Sequence, residues 1–165
     1  MKQKILKRLS IGVLAAFCTV SCFSITTVKA SSLMEKVEER TDEETDATSA
    51  TDTSSPRTRA NHLNFGTVQI NKLANNQCNV LGVVQAFHDC DKLYLDMSLE
   101  QKSGGSYSSY KVWNFTGLNT SLLSKSINVL VPKNHYYRLK GYHAAQDGGT
   151  KESTTTLTKG VWIGD

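Results

Sequence analysis

An all-β fold is predicted for residues 61–165, a single small antiparallel β-sandwich of about seven strands. Leu93, Leu95, Met97 and Leu99 alternate with Tyr94, Asp96, Ser98 and Glu100, the period of two expected of an antiparallel strand with one wet face. Runs rich in valine, tyrosine and threonine are broken by glycine, asparagine and aspartate every 8–15 residues or about that. No window of about eleven residues or more in this region carries helical spacing. Immunoglobulin-like topology is one option for this pattern, and a small barrel is the alternative.

The elements follow in order. Residues near 65–70 supply a first strand. Residues 80–87 are apolar on both parities, as in a central strand, and 93–101 is the clearest strand of all. Ser103-Gly104-Gly105-Ser106 turns the chain into a strand over 107–115. Another over 126–131 stops at Pro132-Lys133-Asn134. Residues 135–145 form the next strand, Asp147-Gly148-Gly149 a tight turn, and 154–163 the last strand. With a two-residue loop at Gly148-Gly149, Ala145 opposes Glu152 and His143 opposes Thr154.

The chain ahead of this domain is of a different kind. Lys2, Lys4, Lys7 and Arg8 precede an apolar run from Ile11 to Ile25, and Val28-Lys29-Ala30 is a small-x-small site before Ser31. That is the layout of a secretory signal peptide cleaved near Ala30. The run is shorter than the roughly 20 apolar residues of a membrane span, so no integral membrane segment is expected in the mature chain. Cys22 follows Thr19-Val20-Ser21, a poor match to a lipid-attachment motif. Residues 31–60 read as an acidic Ser/Thr-rich disordered spacer, with a short helix over 32–40 where Ser32 and Glu35 match a capping box.

Charge follows the same division. The full chain is +4, yet residues 1–30 hold five bases and no acid, so the mature chain is −1. Residues 31–55 carry −6 and residues 56–165 carry +5. The basic character of the precursor is therefore no argument for nucleic-acid binding. The mature chain keeps Cys78 and Cys90, and an even pair in an exported protein is expected to form a disulfide. The two cysteines bracket a predicted strand, whose straight ends stand too far apart to bond. The reading therefore requires a bend, with Gly82 as the candidate.

Chemistry is sparse. The chain has no His-Glu-x-x-His, Gly-x-Ser-x-Gly, phosphate-cradling loop or dinucleotide fingerprint, so no catalytic residue, cofactor or metal is assigned. His88-Asp89-Cys90-Asp91 is the densest group of potential ligands. Its composition equally suits a turn, because aspartate side chains bond nearby backbone N–H groups, and the turn is preferred. His143 and Glu152, diagonal across the predicted hairpin, are half of an acid/base pair with no placed nucleophile. Tyr136, Arg138, Lys140 and Tyr142 share one face of their strand. They form a ladder of rings and cations fit for cell-wall glycan, an anionic polymer or a protein partner. The competing reading is long side chains covering the sheet through neighbour packing.

Tyr136-Tyr137-Arg138-Leu139-Lys140-Gly141-Tyr142-His143, Gly148-Gly149, Glu152-Ser153-Thr154 and Thr158-Lys159-Gly160-Val161-Trp162-Ile163 resemble an uncharacterised family of small proteins exported by Gram-positive, clostridia-like bacteria. Residues 96–102 followed by Trp113 fit the same pattern. The resemblance implies secretion and a β-rich domain, with no activity attached. In size, export and the Tyr-Tyr segment the chain is also similar to secreted β-sandwich bacteriocins. The expectation is an exported non-enzymatic binding protein at or outside the bacterial cell surface. A secreted bacteriocin-like or host-directed antagonist is the alternative, and a hydrolytic enzyme comes third.

Overall fold

The computed structural model describes residues 43–57 and 59–165. Every regular element among them is a strand: β1 Glu44–Thr45, β2 Ser49–Ser54, β3 Leu63–Ala74, β4 Gln77–Ser103, β5 Ser106–Leu130, β6 His135–Asp147, β7 Thr150–Leu157 and β8 Gly160–Ile163. The fold is all-β, as expected. The strands belong to one mixed, nearly closed, barrel-like sheet of order β1-β8-β6-β4-β3-β2, with β5 on β4 and β7 on β6, where two separate sandwich sheets were expected. β1 pairs β8 in parallel, and the other ladders are antiparallel.

The reason lies in β4. Residues 77–86 pair with β3, residues 92–101 pair with β6, and β5 follows both stretches along the other edge. The interval of four residues from Ala86 to Asp89 is a bulge, because the ladder with β5 skips from Gln85 to Cys90. Bulges bend the strand that carries them and strengthen its twist. The bend swings the two halves of β4 into facing arms. Before it the even residues Cys78, Val80, Val84 and Ala86 are buried, and after it the odd residues Leu93, Leu95, Met97 and Leu99 are. β5 bends with its partner, so Lys125 Nζ lies 5.4 Å from the centre of the Phe115 ring across the arms. On the opposite side β2 reaches β7: the Ser54 and Thr154 hydroxyls are 2.7 Å apart, and the Leu157 N–H donates to Asp52 at 2.8 Å.

The core fills the space between the arms. Val68, Ile70, Val80, Leu95, Met97, Leu99, Tyr137, Leu139 and Ile163 are all fully buried. Each such aliphatic side chain contributes about 1.5–3 kcal/mol. The predicted hairpins form where glycine permits them. Gly104 and Gly105 have φ of 60° and 91°, and Gly148 and Gly149 have 52° and 86°, the positive pair of a type I′ turn. Ala145 opposes Glu152 and His143 opposes Thr154, as the two-residue loop requires.

Three expectations are corrected. The spacer does not extend to residue 60: β1 and β2 lie inside it, and β2 pairs with β3 from Ser49↔Asn71 to Ser54↔Gly66. Cys78 and Cys90 are free, buried thiols. Cys78 lies far along the straight stretch before Ala86, whereas Cys90 follows the bulge at once, and at about 3.3 Å per residue the bend leaves them apart. The segment His88-Asp89-Cys90-Asp91 is no chain reversal but part of β4 at its bulge. The predicted signal peptide over residues 1–30, Cys22 within it, and the helix over 32–40 lie outside the described residues. No helix among the described residues is long and apolar enough to cross a membrane.

Candidate functional site

The ladder on β6 faces neighbouring side chains. Arg138 is 6% exposed, and its Nε donates to Glu100 Oε2 at 2.6 Å. Lys140 Nζ lies 2.9 Å from the other oxygen of the same carboxylate. The register places Glu100 directly across from Arg138, so one buried carboxylate holds both cations. The Arg138 guanidinium also stacks 4.0 Å from the centre of the Tyr107 ring. Tyr136 packs edge-on against Trp162, and Tyr142 is buried with Lys151 above its ring. Outer side chains of β4, β5, β7 and β8 thus cover the ladder. The neighbour-packing arrangement is what the fold builds here.

His143 and Glu152 stand diagonally across the β6–β7 ladder but do not meet chemically. His143 Nε2 is 2.8 Å from the Thr156 hydroxyl, inside the core. Its ring has space because Gly66 and Gly141 lie against it: a Cβ on Gly141 would come within 2.5 Å of His143 Nε2 and of Thr156 Oγ1. Burial drives its pKa down from 6.5 to about 4, opposed in part by the Val83 backbone, so the ring is neutral near pH 7. Glu152 instead accepts the backbone N–H groups of Asn61, His62 and Leu63 at 2.9, 2.9 and 2.8 Å. Burial pushes its pKa up, and those three donors together with His62 more than reverse the effect. The carboxylate thereby ties down the chain entering β3.

That anchoring places His62 over the β4 bulge. The Phe87 N–H donates to the His62 carbonyl at 2.9 Å. His62 Nδ1 lies 3.3 Å from His88 Nε2, and His88 Nε2 lies 3.4 Å from Asp147 Oδ2. His62 Nδ1 is 4.0 Å from the same oxygen. The Cys90 sulfur completes the cluster, within 4.8 Å of both histidine nitrogens. Burial raises the Cys90 pKa, and Asp147, Glu152, Asp91 and Asp89 raise it further. His88 and Cys90 belong to the ligand group marked in the sequence. His62 and Asp147 were missed, because they lie 26 and 59 residues from His88 and arrive only through the β3 start and the β6–β7 hairpin.

β5 presents a different surface. It is 25 residues long, and among the described residues it pairs only with β4. Its odd residues Trp113, Phe115 and Ile127 pack against the core. From Val112 onward its even residues lie on the outer face, and four are apolar: Val112, Leu118, Leu122 and Leu130 are 54%, 63%, 52% and 64% exposed. Phe87, 58% exposed on the bulge, extends this surface two residues beyond Gln85, the register partner of Leu122.

The model of a family of unknown function, DUF6147, matches residues 15–161. No curated protein and no solved structure matches the chain significantly.

Proposed function

Since the chain belongs to DUF6147, a family with no function attached, we propose its role from its geometry. The protein is an exported, non-enzymatic interaction protein, acting at or outside a bacterial cell surface. It binds an extended segment of a protein partner along the outer edge of β5. The N-terminal basic and apolar pattern supports export.

One observation carries the reading. Among the described residues, a strand of 25 residues is hydrogen-bonded on one side only and shows four exposed apolar side chains on its wet face. Edge strands invite added strands, and folds ordinarily blunt them with proline, outward charge or short length. β5 contains no proline, and its two lysines, Lys111 and Lys125, lie on the odd positions and not on that apolar face. Main-chain bonds along the edge provide affinity, and the alternate side chains provide selectivity. The Tyr136 ladder, with Arg138 and Lys140 shared on Glu100, is less suited to an anionic polymer.

The test is retention of bacterial surface proteins, isolated peptidoglycan, teichoic acid and anionic liposomes on the immobilised chain. A retained protein, lost when Leu118→Lys and Leu122→Lys are combined, supports the β5 edge. Retention of glycan or polymer that survives this double change, with no protein retained, refutes it.

A further inference from the structure

We infer that His62, His88, Cys90 and Asp147 form a binding site for a divalent transition-metal ion of the zinc class, separate from the β5 edge. Three chain segments distant in sequence meet at one end of the barrel: the start of β3, the bulge of β4 and the β6–β7 hairpin. Each contributes a metal-ligand side chain, and the donor atoms converge.

The spacing fits tetrahedral coordination. Metal–nitrogen and metal–oxygen bonds of about 2.0–2.2 Å imply donor–donor edges of about 3.3–3.6 Å. The His62–His88 and His88–Asp147 separations are 3.3 and 3.4 Å. The His62–Asp147 edge is 4.0 Å, and the mutual spacing within 4.8 Å holds for His62, His88 and Cys90, so Asp147 joins from the histidine side as fourth donor by turning toward the sulfur on binding. One imidazole–imidazole hydrogen bond accounts for the first distance alone. It gives no reason for a thiol and a carboxylate to converge on the same two rings.

The setting favours a cation. Asp89, Asp91 and Glu152 add negative charge near Cys90. Glu152 acts as a positioning residue: its three backbone bonds fix the segment that carries His62. The hairpin is fixed as well, since the Gly148 N–H donates to Asp91 at 3.2 Å. The bulge itself gains a purpose, because it lets His88 and Cys90, two positions apart, reach one point. Two imidazoles, a thiol and a carboxylate suit Zn(II), Co(II), Ni(II) or Cu(II), and disfavour calcium and magnesium, which select oxygen ligands. On binding, Cys90 releases its proton to solvent and a sulfur–metal bond forms.

The probe is Co(II), titrated into the full chain after chelator treatment and reduction. The expected result is one ion per chain, with the intense visible bands of a tetrahedral site and a near-ultraviolet sulfur-to-cobalt charge-transfer band. Cys90→Ser removes the charge-transfer band, and Cys78→Ser does not. His88→Ala, at a side chain 45% exposed and so tolerated by the fold, weakens affinity at least about 10-fold, as losing even a supporting contact does. Zinc displaces the cobalt. Weak octahedral bands without a sulfur component, or affinity unchanged in both His88→Ala and Cys90→Ser, would overturn the site.

Discussion

His143 makes folding stability depend on pH. Its side chain is fully buried, and its pKa falls from 6.5 to about 4. Protonation is therefore easier in the unfolded chain than in the folded one. Between about pH 4 and 6.5 the unfolded state binds one more proton at this position, so stability falls as pH falls. The stabilisation is complete above about pH 7, declines by about 1.4 kcal/mol per pH step through the window, and is gone below about pH 4. The total follows from the two pKa values and is about 3 kcal/mol. The assay is urea unfolding of the wild type and His143→Gln at pH 7.5, 6.5, 5.5 and 4.5, the values being about one step apart to sample the slope. The variant loses baseline stability through altered packing, but the difference between the two proteins shrinks toward low pH. A difference that stays constant across the window would refute the reasoning, since no proton would then be linked to folding through His143.

Two further outcomes follow from the same core. Glu100→Gln leaves the charges of Arg138 and Lys140 without the carboxylate they share, and lowers stability by about 3–5 kcal/mol, measured by thermal or urea unfolding. Gly141→Ala places a methyl group against His143, Thr156 and Val68, with contacts of 2.5, 2.5 and 2.6 Å that cannot stand. It costs at least about 1–3 kcal/mol, and His143→Ala in the same chain recovers part of the loss.

Much of the strand content was legible, because period two and glycine turns are local signals. The Leu93–Leu99 alternation, the Gly104-Gly105 reversal and the Gly148-Gly149 register all depend on residues a few positions apart. β2 was not legible. Its sequence Ser-Ala-Thr-Asp-Thr-Ser holds one apolar residue, Ala50, and its hold on the fold is the β3 ladder and the Asp52 bond to Leu157, neither of them local. The union of two predicted strands into β4 was hidden for a similar reason. His88, Asp89 and Asp91 have turn chemistry, and only the ladders on both edges carry the strand across them. The ladder on β6 looked wet because charge on a strand normally marks solvent. Its burial depends on Glu100, 38 residues away. The ligand cluster was half legible, since His88 and Cys90 stood together in the sequence while His62 and Asp147 came through the fold.

Strand β4 also bears on how the molecule comes apart. Because its two halves serve different arms, no cut through the sheet separates a portion with its own complete interior. Hydrogen exchange should then report one cooperative unit, with protection of the amides on β3 and on β6 lost together. The β4–β5 hairpin, joined by two residues, can close early in folding, whereas β1 and β2 must wait for β8, β3 and β7 to be in place. In the proposed export, N-terminus first, β1 would stay unpaired until nearly the last residues had crossed, because its partner is β8.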